Sequence, residues 1–304
     1  MHRFALIVNP AAGRGRALRA VPHATAALDL AGASYEVCIS DSLRHAGDLA
    51  AGAAAAGRAI VAVGGDGMAG ALAGAAARLR CTYGIIPAGR GNDLARVLGI
   101  PSDPVAAAGT LVAGAARQID LIGVSAPGQP EIIVAGSVYA GVPSVAGELA
   151  NATRWLKGPL VYPAAALRAV AGWQPARFEV TGASCRHDFP GYAVVVANSA
   201  FFGGGMKVAP PACVDDGILD LVLMRHGPKL AFIKALVKIK HGSHTSLAQI
   251  SLDRDTQVTL TLDRPMPVAA DGETLPFAAP LPAGTPLRIR VLPGALSVLT
   301  PAAG

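Results

Sequence analysis

The sequence predicts an α/β plus β chain: an N-terminal doubly wound parallel-sheet domain over residues 1–122 and a C-terminal antiparallel β-sandwich domain over residues 123–304, with a return of the last strand to the first domain left open. Three observations carry this. The first part alternates short apolar runs with Ala-rich helical stretches, the pattern of parallel βαβ units. From about Ile122 apolar runs follow one another with few helices between them, punctuated by Pro, Gly and Asp. The chain has 304 residues, 52% of them hydrophobic and 15% charged, enough to bury two cores and too apolar for disorder.

In chain order, strands are expected at 4–8, 35–39, 59–63 and 83–86, with helices at 16–31, 45–56 and 68–79 between them. Strands separated by helices of this length read as parallel βαβ units. Ligands then belong at the carboxyl ends of the strands, in the loops after Val8, Ile39, Val63 and Ile86. In the second part strands are expected at 132–135, 177–180, 192–197, 219–223, 257–262 and 287–291, interrupted by helices at 163–172 and 230–240.

Composition also excludes several classes. The longest uncharged stretch, 189–206, contains Pro190, Asn198 and three consecutive glycines, which a membrane-spanning helix would not carry together. The opening apolar run is too short for a secretion signal, so a cytoplasmic protein is expected. Cys38, Cys81, Cys185 and Cys213 are scattered, without the spacing of a zinc or redox pair, and read as ordinary buried thiols. A net charge of +6 favours a polyanionic partner. With 5% aromatics and no nucleic-acid-binding motif, nucleotide and acidic membrane surface rank above nucleic acid.

Three loops draw attention. Asn9-Pro10-Ala11-Ala12-Gly13-Arg14-Gly15-Arg16 follows one strand and precedes a helix, so small residues let backbone N–H groups approach a phosphate while Arg14 and Arg16 supply counter-charge. Val63-Gly64-Gly65-Asp66-Gly67-Met68 sets one carboxylate among three glycines at a tight turn. Gly89-Arg90-Gly91-Asn92-Asp93-Leu94-Ala95-Arg96 again leads from strand to helix, where Asn92 or Asp93 alone would be a plain helix cap.

Together these loops resemble the diacylglycerol kinase catalytic-domain superfamily, which includes bacterial lipid kinases and sphingosine kinases and, more distantly, NAD kinases. Gly203-Gly204-Gly205-Met206-Lys207, Asp215-Asp216-Gly217-Ile218-Leu219-Asp220 and Ala270-Asp271-Gly272-Glu273 are similar to the bacterial lipid kinases in type and order. The resemblance implies transfer of the γ-phosphate of ATP to a lipid hydroxyl, diacylglycerol first among acceptors, with Mg²⁺. It implies that Asn9, Pro10, Gly13, Arg14, Ser40, Gly64, Gly65, Asp66, Gly67, Met68, Gly70, Arg90 and Asn92 surround ATP. Asp66, Asp93 and Asp120 would hold the catalytic Mg²⁺ through water, and Asp271 and Glu273 would face the acceptor hydroxyl. A second, structural Mg²⁺ would bind the Asp216 carboxylate and the carbonyls of Cys213 and Ile218.

An attacking alcohol needs a carboxylate to take its proton, which gives Asp271 independent sense, although Asp-Gly is equally a hairpin pair. Departures from the family pattern fall at Met68, Gly70, Ala71, Arg90 and Pro143. They bear on nucleotide affinity and choice, and Met68, Gly70 and Pro143 leave room for a nucleotide-binding protein without turnover. The shared Gly64-Gly65-Asp66-Gly67 loop also admits an NAD kinase-like enzyme, and because acyl pockets are built from ordinary apolar residues the acceptor could be another lipid such as a sphingoid base, monoacylglycerol, phosphatidylglycerol or phosphatidylinositol. Finally, Leu230, Ile233, Leu236 and Val237 form an apolar stripe beside Lys229, Lys234, Lys238, Lys240 and His241, as in a helix resting on an anionic bilayer; solvated lysines on a packed helix are the plainer account. Arg154 and Lys157 would extend that basic surface. A homodimer is compatible with the sequence.

Overall fold

The structure is a computed structural model and describes residues 3–152 and 161–302; Arg154 and Lys157 lie outside the described residues. The N-terminal half is built on four parallel strands, β1 (Arg3–Val8), β2 (Ser34–Ile39), β3 (Ala59–Gly64) and β4 (Tyr83–Pro87), in the order β2-β1-β3-β4. β1, β3 and β4 are buried almost throughout, which their unbroken apolar runs require, whereas the edge strand β2 is half exposed. Helices α1 (Arg16–Leu30), α2 (Leu43–Ala55), α3 (Asp66–Leu79), α4 (Asp93–Val97) and α5 (Pro104–Ala113) follow the strands, α1 packing with α5 and α2 with α3. Helix α3 starts at Asp66, two residues before the expected position, because the Gly65 carbonyl already accepts the Ala69 N–H.

The C-terminal half is antiparallel. β5 (Ala115–Ser125) is followed by β6 (Ile132–Val134), β7 (Ser137–Gly141), β8 (Ala176–Gly182), β9 (Arg186–Ala197), the small hairpin of β10 (Phe201–Phe202) with β11 (Met206–Lys207), β12 (Leu219–Arg225), β13 (Ile250–Asp255), β14 (Gln257–Leu262), β15 (Val268–Ala270), β16 (Glu273–Thr274) and β17 (Leu287–Thr300). In β8, β14 and the first half of β17 buried and exposed residues alternate, as expected where one face meets the core. Helices α6 (Val142–Ala152), α7 (Val161–Gly172) and α8 (Lys229–Lys238) cover part of this half.

One sheet runs through both halves. β17 pairs with β14 at its start, with β4 at Val298, and with β5 on either side of a register shift between Leu292 and Leu296. Residue 122 therefore falls inside a strand. The change of core is sharp there: Leu121 packs in the N-terminal cluster and Ile122 in the C-terminal one, and Val291 and Leu292 divide in the same way.

Helix α8 differs from its sequence reading. Phe232, Ala235 and Ile239 are buried with Ile233 and Leu236 packed beside them, whereas Leu230 and Val237 are 63% and 74% exposed. The stripe facing the core is thus rotated, because the aromatic Phe232 offers more area to bury than Leu230 or Val237. Lys234, Lys238 and Lys240 are exposed beside these two apolar side chains. No helix among the described residues is long and apolar enough to cross a membrane.

Candidate active site

The loops after β1, β3 and β4 meet at the carboxyl edge of the parallel sheet. The Asn9 N–H donates to the Val63 carbonyl, the Ala88 N–H to the Gly64 carbonyl, and the Ser40 N–H to the Val8 carbonyl. Gly65 and Gly89 approach so closely that a Cβ on Gly89 would stand 2.4 Å from the Gly65 Cα, a contact no other residue tolerates. Arg16 Nη2 donates to the Gly89 carbonyl at 2.6 Å and Arg16 Nε to that of Gly13, so this arginine ties the first and third loops together.

A cleft of about 290 Å³ opens between the halves. Asp66, Gly70, Arg90, Gly91 and Asp93 line it from one side; Ala135, Gly136, Ser199, Phe201 to Gly204, Asp271 and Gly272 line it from the other. Three carboxylates thus share one cavity, each held by main-chain donors. Asp66 accepts the N–H groups of Asn92 and Asp93 at 3.0 and 2.6 Å, fixing the left-handed Asn92 at the start of α4. Asp93 accepts those of Gly204 and Gly205 at 2.8 and 2.6 Å, reaching across to the other half. Asp271 accepts those of Ala135, Gly136 and Ser137 at 2.9 to 3.1 Å.

Burial pushes the Asp93 and Asp271 carboxyls above the usual carboxylate range, the N–H donors opposing the shift and the charge of Asp66 reinforcing it in both. Two N–H donors on each of Asp66 and Asp93 leave lone pairs unused, whereas Asp271 accepts three. Three hard oxygen donors facing one cleft form a set that fits a divalent cation such as Mg²⁺ held through water. On the cleft wall Arg90 is exposed and offers a phosphate counter-charge.

Other residues expected from the sequence lie elsewhere. Asp120 is buried beside the register shift of β17; its oxygens accept the N–H groups of Gly217 and Gly294, each at 2.7 Å, and it does not line the cleft. Met68 is 2% exposed and packs in the N-terminal core. Glu273 is exposed and outside the cleft lining. Pro10, Gly13, Arg14 and Ser40 belong to the neighbouring loops, where the Ser40 hydroxyl donates to the Ser42 carbonyl. Cys213, Asp216 and Ile218 share the loop that Asp120 tethers, and Asp216 Oδ1 accepts the Ile218 N–H at 3.1 Å.

The Asp271-Gly272 pair is both things at once: it joins β15 to β16 with both residues at positive φ, and its carboxylate faces the cleft. Sequence reasoning missed the Ala135-Gly136-Ser137 donors, because backbone groups leave no mark in side-chain pattern. It also missed Ser199, Phe201 and Phe202. Phe202 lines, besides this cleft, an apolar crevice formed by Val142, Pro143, Ala146 and Tyr162 on one side and Met224, Phe232 and Leu236 on another.

Comparison with known proteins places the chain among relatives along its length. The diacylglycerol kinase catalytic domain matches residues 3–124, and the YegS C-terminal NAD kinase beta sandwich-like domain matches residues 136–300. A diacylglycerol kinase of Mycobacterium tuberculosis is 31% identical over 308 residues, covering 98% of this chain and 95% of that protein. One of Bacillus subtilis is 30% identical over 219 residues, covering 70% of each chain. The crystal structure of a diacylglycerol kinase from Bacillus anthracis shares the fold, with a TM-score of 0.73 and 21% identity over 98% of this chain and 97% of that one.

Proposed function

Because this chain belongs to the diacylglycerol kinase family of lipid kinases, we propose that it transfers the γ-phosphate of ATP to the hydroxyl of diacylglycerol, giving phosphatidic acid. The observation that carries this reading is the sharing of Phe202 between a cleft lined by carboxylates and an apolar crevice. An acceptor with a hydroxyl next to hydrocarbon chains matches such a pair of surfaces, and the relatives named diacylglycerol kinase support the choice.

In this reading the three glycine-bearing loops and Arg90 bind the phosphates, while Asp66 and Asp93 hold Mg²⁺, which when bound offsets phosphate charge. Asp271 takes the proton of the attacking hydroxyl. Its raised proton affinity suits a base better than an ordinary surface carboxylate would, and the three N–H groups fix its direction. Gly70, whose missing Cβ would stand 3.4 Å from Asp271 Oδ2, leaves the space over that carboxylate open for the acceptor. Asp120 acts through position, holding the Gly217 and Gly294 backbones, and the loop of Cys213, Asp216 and Ile218 takes a second Mg²⁺. The exposed Leu230 and Val237 with Lys234, Lys238 and Lys240 rest on an anionic membrane surface.

The test is purified protein with Mg²⁺ and radiolabelled ATP against diacylglycerol, sphingosine, monoacylglycerol, phosphatidylinositol, phosphatidylglycerol and NAD. Label in phosphatidic acid above all other products is expected. Label only in another product would refute diacylglycerol as the acceptor.

A further inference from the structure

We propose a zinc-type metal site formed by Cys185, His187 and Asp253 at the end of the sandwich remote from the cleft. Their ligand atoms, the thiol sulfur, an imidazole nitrogen and a carboxylate oxygen, all lie within 4.8 Å of one another. His187 Nε2 stands 2.6 Å from Asp253 Oδ2. Tetrahedral zinc takes sulfur at about 2.3 Å and nitrogen or oxygen at about 2.0 to 2.2 Å, which separates neighbouring ligands by roughly 3.3 to 3.6 Å. Opening the His187 to Asp253 contact by about 0.7 Å and closing the sulfur in by at most about 1.3 Å reaches that geometry.

The location is distinct from the kinase cleft. Cys185 and His187 flank the start of β9, a strand of 12 residues whose far end leads into Asn198, which touches the Asp120 and Ala135 carbonyls. At about 3.3 Å per residue the two ends are roughly 35 to 40 Å apart. Asp253 comes from β13, so an ion there would staple the β8 to β9 hairpin to the corner between β13 and β14.

The surroundings support a cation. Cys185 is buried beside the Asp253 and Asp255 carboxylates, whose negative charge a cation would offset. Asp255 is already occupied, accepting from the Ser184 N–H and hydroxyl and from the Thr256 and Gln257 N–H groups, and so fixes the backbone just before Cys185 rather than supplying a ligand. The Gly182 N–H donates to the Cys185 carbonyl at 2.8 Å, closing the hairpin that presents the sulfur. His187 and Asp253 are partly exposed, which leaves an entry path and room for a water as the fourth ligand. Sulfur and imidazole select zinc over the hard Mg²⁺ that the cleft suits. On binding, the thiol proton leaves to solvent and the metal–sulfur bond forms, so that thiolate and carboxylate together neutralise the ion.

The 304-residue chain, stripped of metal, is dialysed against Zn²⁺ with Mg²⁺ in excess, and bound zinc per chain is measured; Co²⁺ is added in parallel to read the cobalt–thiolate charge-transfer absorption. One zinc per chain is expected. Asp253→Asn and His187→Gln should each weaken binding by at least about tenfold, and Cys185→Ser should abolish the cobalt–thiolate band. Asp253 is at the surface, so Asp253→Asn keeps the test decisive if the Cys185 variant folds poorly. Failure of the wild type to retain zinc overturns the proposal. So does unchanged affinity in Asp253→Asn and His187→Gln, or a cobalt–thiolate band that survives in Cys185→Ser.

Discussion

Replacing Asp271 by Asn separates the two roles that this residue combines. The hairpin itself should not suffer, since Asn-Gly takes positive φ at both positions as readily as Asp-Gly. The three N–H donors are another matter. Ala135 N–H points at Oδ2 at 2.9 Å, Ser137 N–H at Oδ1 at 2.9 Å, and Gly136 N–H at both oxygens. An amide keeps one oxygen, so whichever way it turns, one donor meets an NH₂ group. An orphaned buried donor costs about 1–3 kcal/mol. Removing a buried charge returns part of that, because burial disfavours the ionised carboxyl. A net loss of about 1–2 kcal/mol would lower Tm by roughly 1.5–3 °C in a protein of 304 residues, at about 2.1 cal/mol/K of unfolding entropy per residue. Turnover should fall by at least about a hundredfold through loss of the proton acceptor, with ATP binding retained. Calorimetric melting, nucleotide titration and lipid phosphorylation measured on the same preparation distinguish these effects. Phosphorylation within about threefold of wild type would refute Asp271 as the base.

The other expectations are shorter. Asp66→Ala should lower turnover by about a hundredfold or more and also lower Tm, since the Asn92 and Asp93 N–H groups lose their acceptor; an active variant would remove Asp66 from the mechanism. Arg90→Ala should raise the KM for ATP more than it lowers kcat, and an unchanged KM would make Arg90 a solvated charge. Because the Asp271 carboxyl titrates above the ordinary range and must be ionised to act, kcat/KM should fall on acidification at a pH above that range. The same group binds more protons folded than unfolded, so its contribution to stability is present at low pH and is lost as pH rises through its native pKa; Asp271→Asn should remove both dependences, which paired pH–rate and pH–melting series will check. Changing Lys234, Lys238 and Lys240 to Gln should weaken sedimentation with anionic vesicles by about 1 kcal/mol per charge, and equal binding would move the membrane-facing surface elsewhere.

The sequence made the parallel sheet legible because unbroken apolar runs and glycine-rich strand ends are local signals: 4–8, 59–63 and 83–86 fall within β1, β3 and β4, and Asp66 and Asp93 were visible as single carboxylates among glycines. Residue 122 looked like a border because the texture changes there, yet β5 runs straight through it, since strand continuity depends on its partner β17 some 170 positions later. The same distance hid the environment of Asp271, whose donors lie 134 to 136 residues away. Asp120 read as one more acidic residue near the others, but only the fold reveals that its oxygens face Gly217 and Gly294. On α8 the apolar positions outnumber those that one face can bury, so periodicity alone could not select Phe232 over Leu230.

The long closing strand has a consequence for how the protein comes into being. β17 supplies a neighbour to β4, to β5 and to β14, and it follows all three in the chain. While the chain emerges, β4 lacks one flank and β5 lacks its principal partner, so each half carries an open sheet margin until residues 287–300 arrive. Neither half can complete itself early. Closure is therefore expected to be a single event in which one segment completes both cores together, and removing residues 287–300 should leave the two halves open at once.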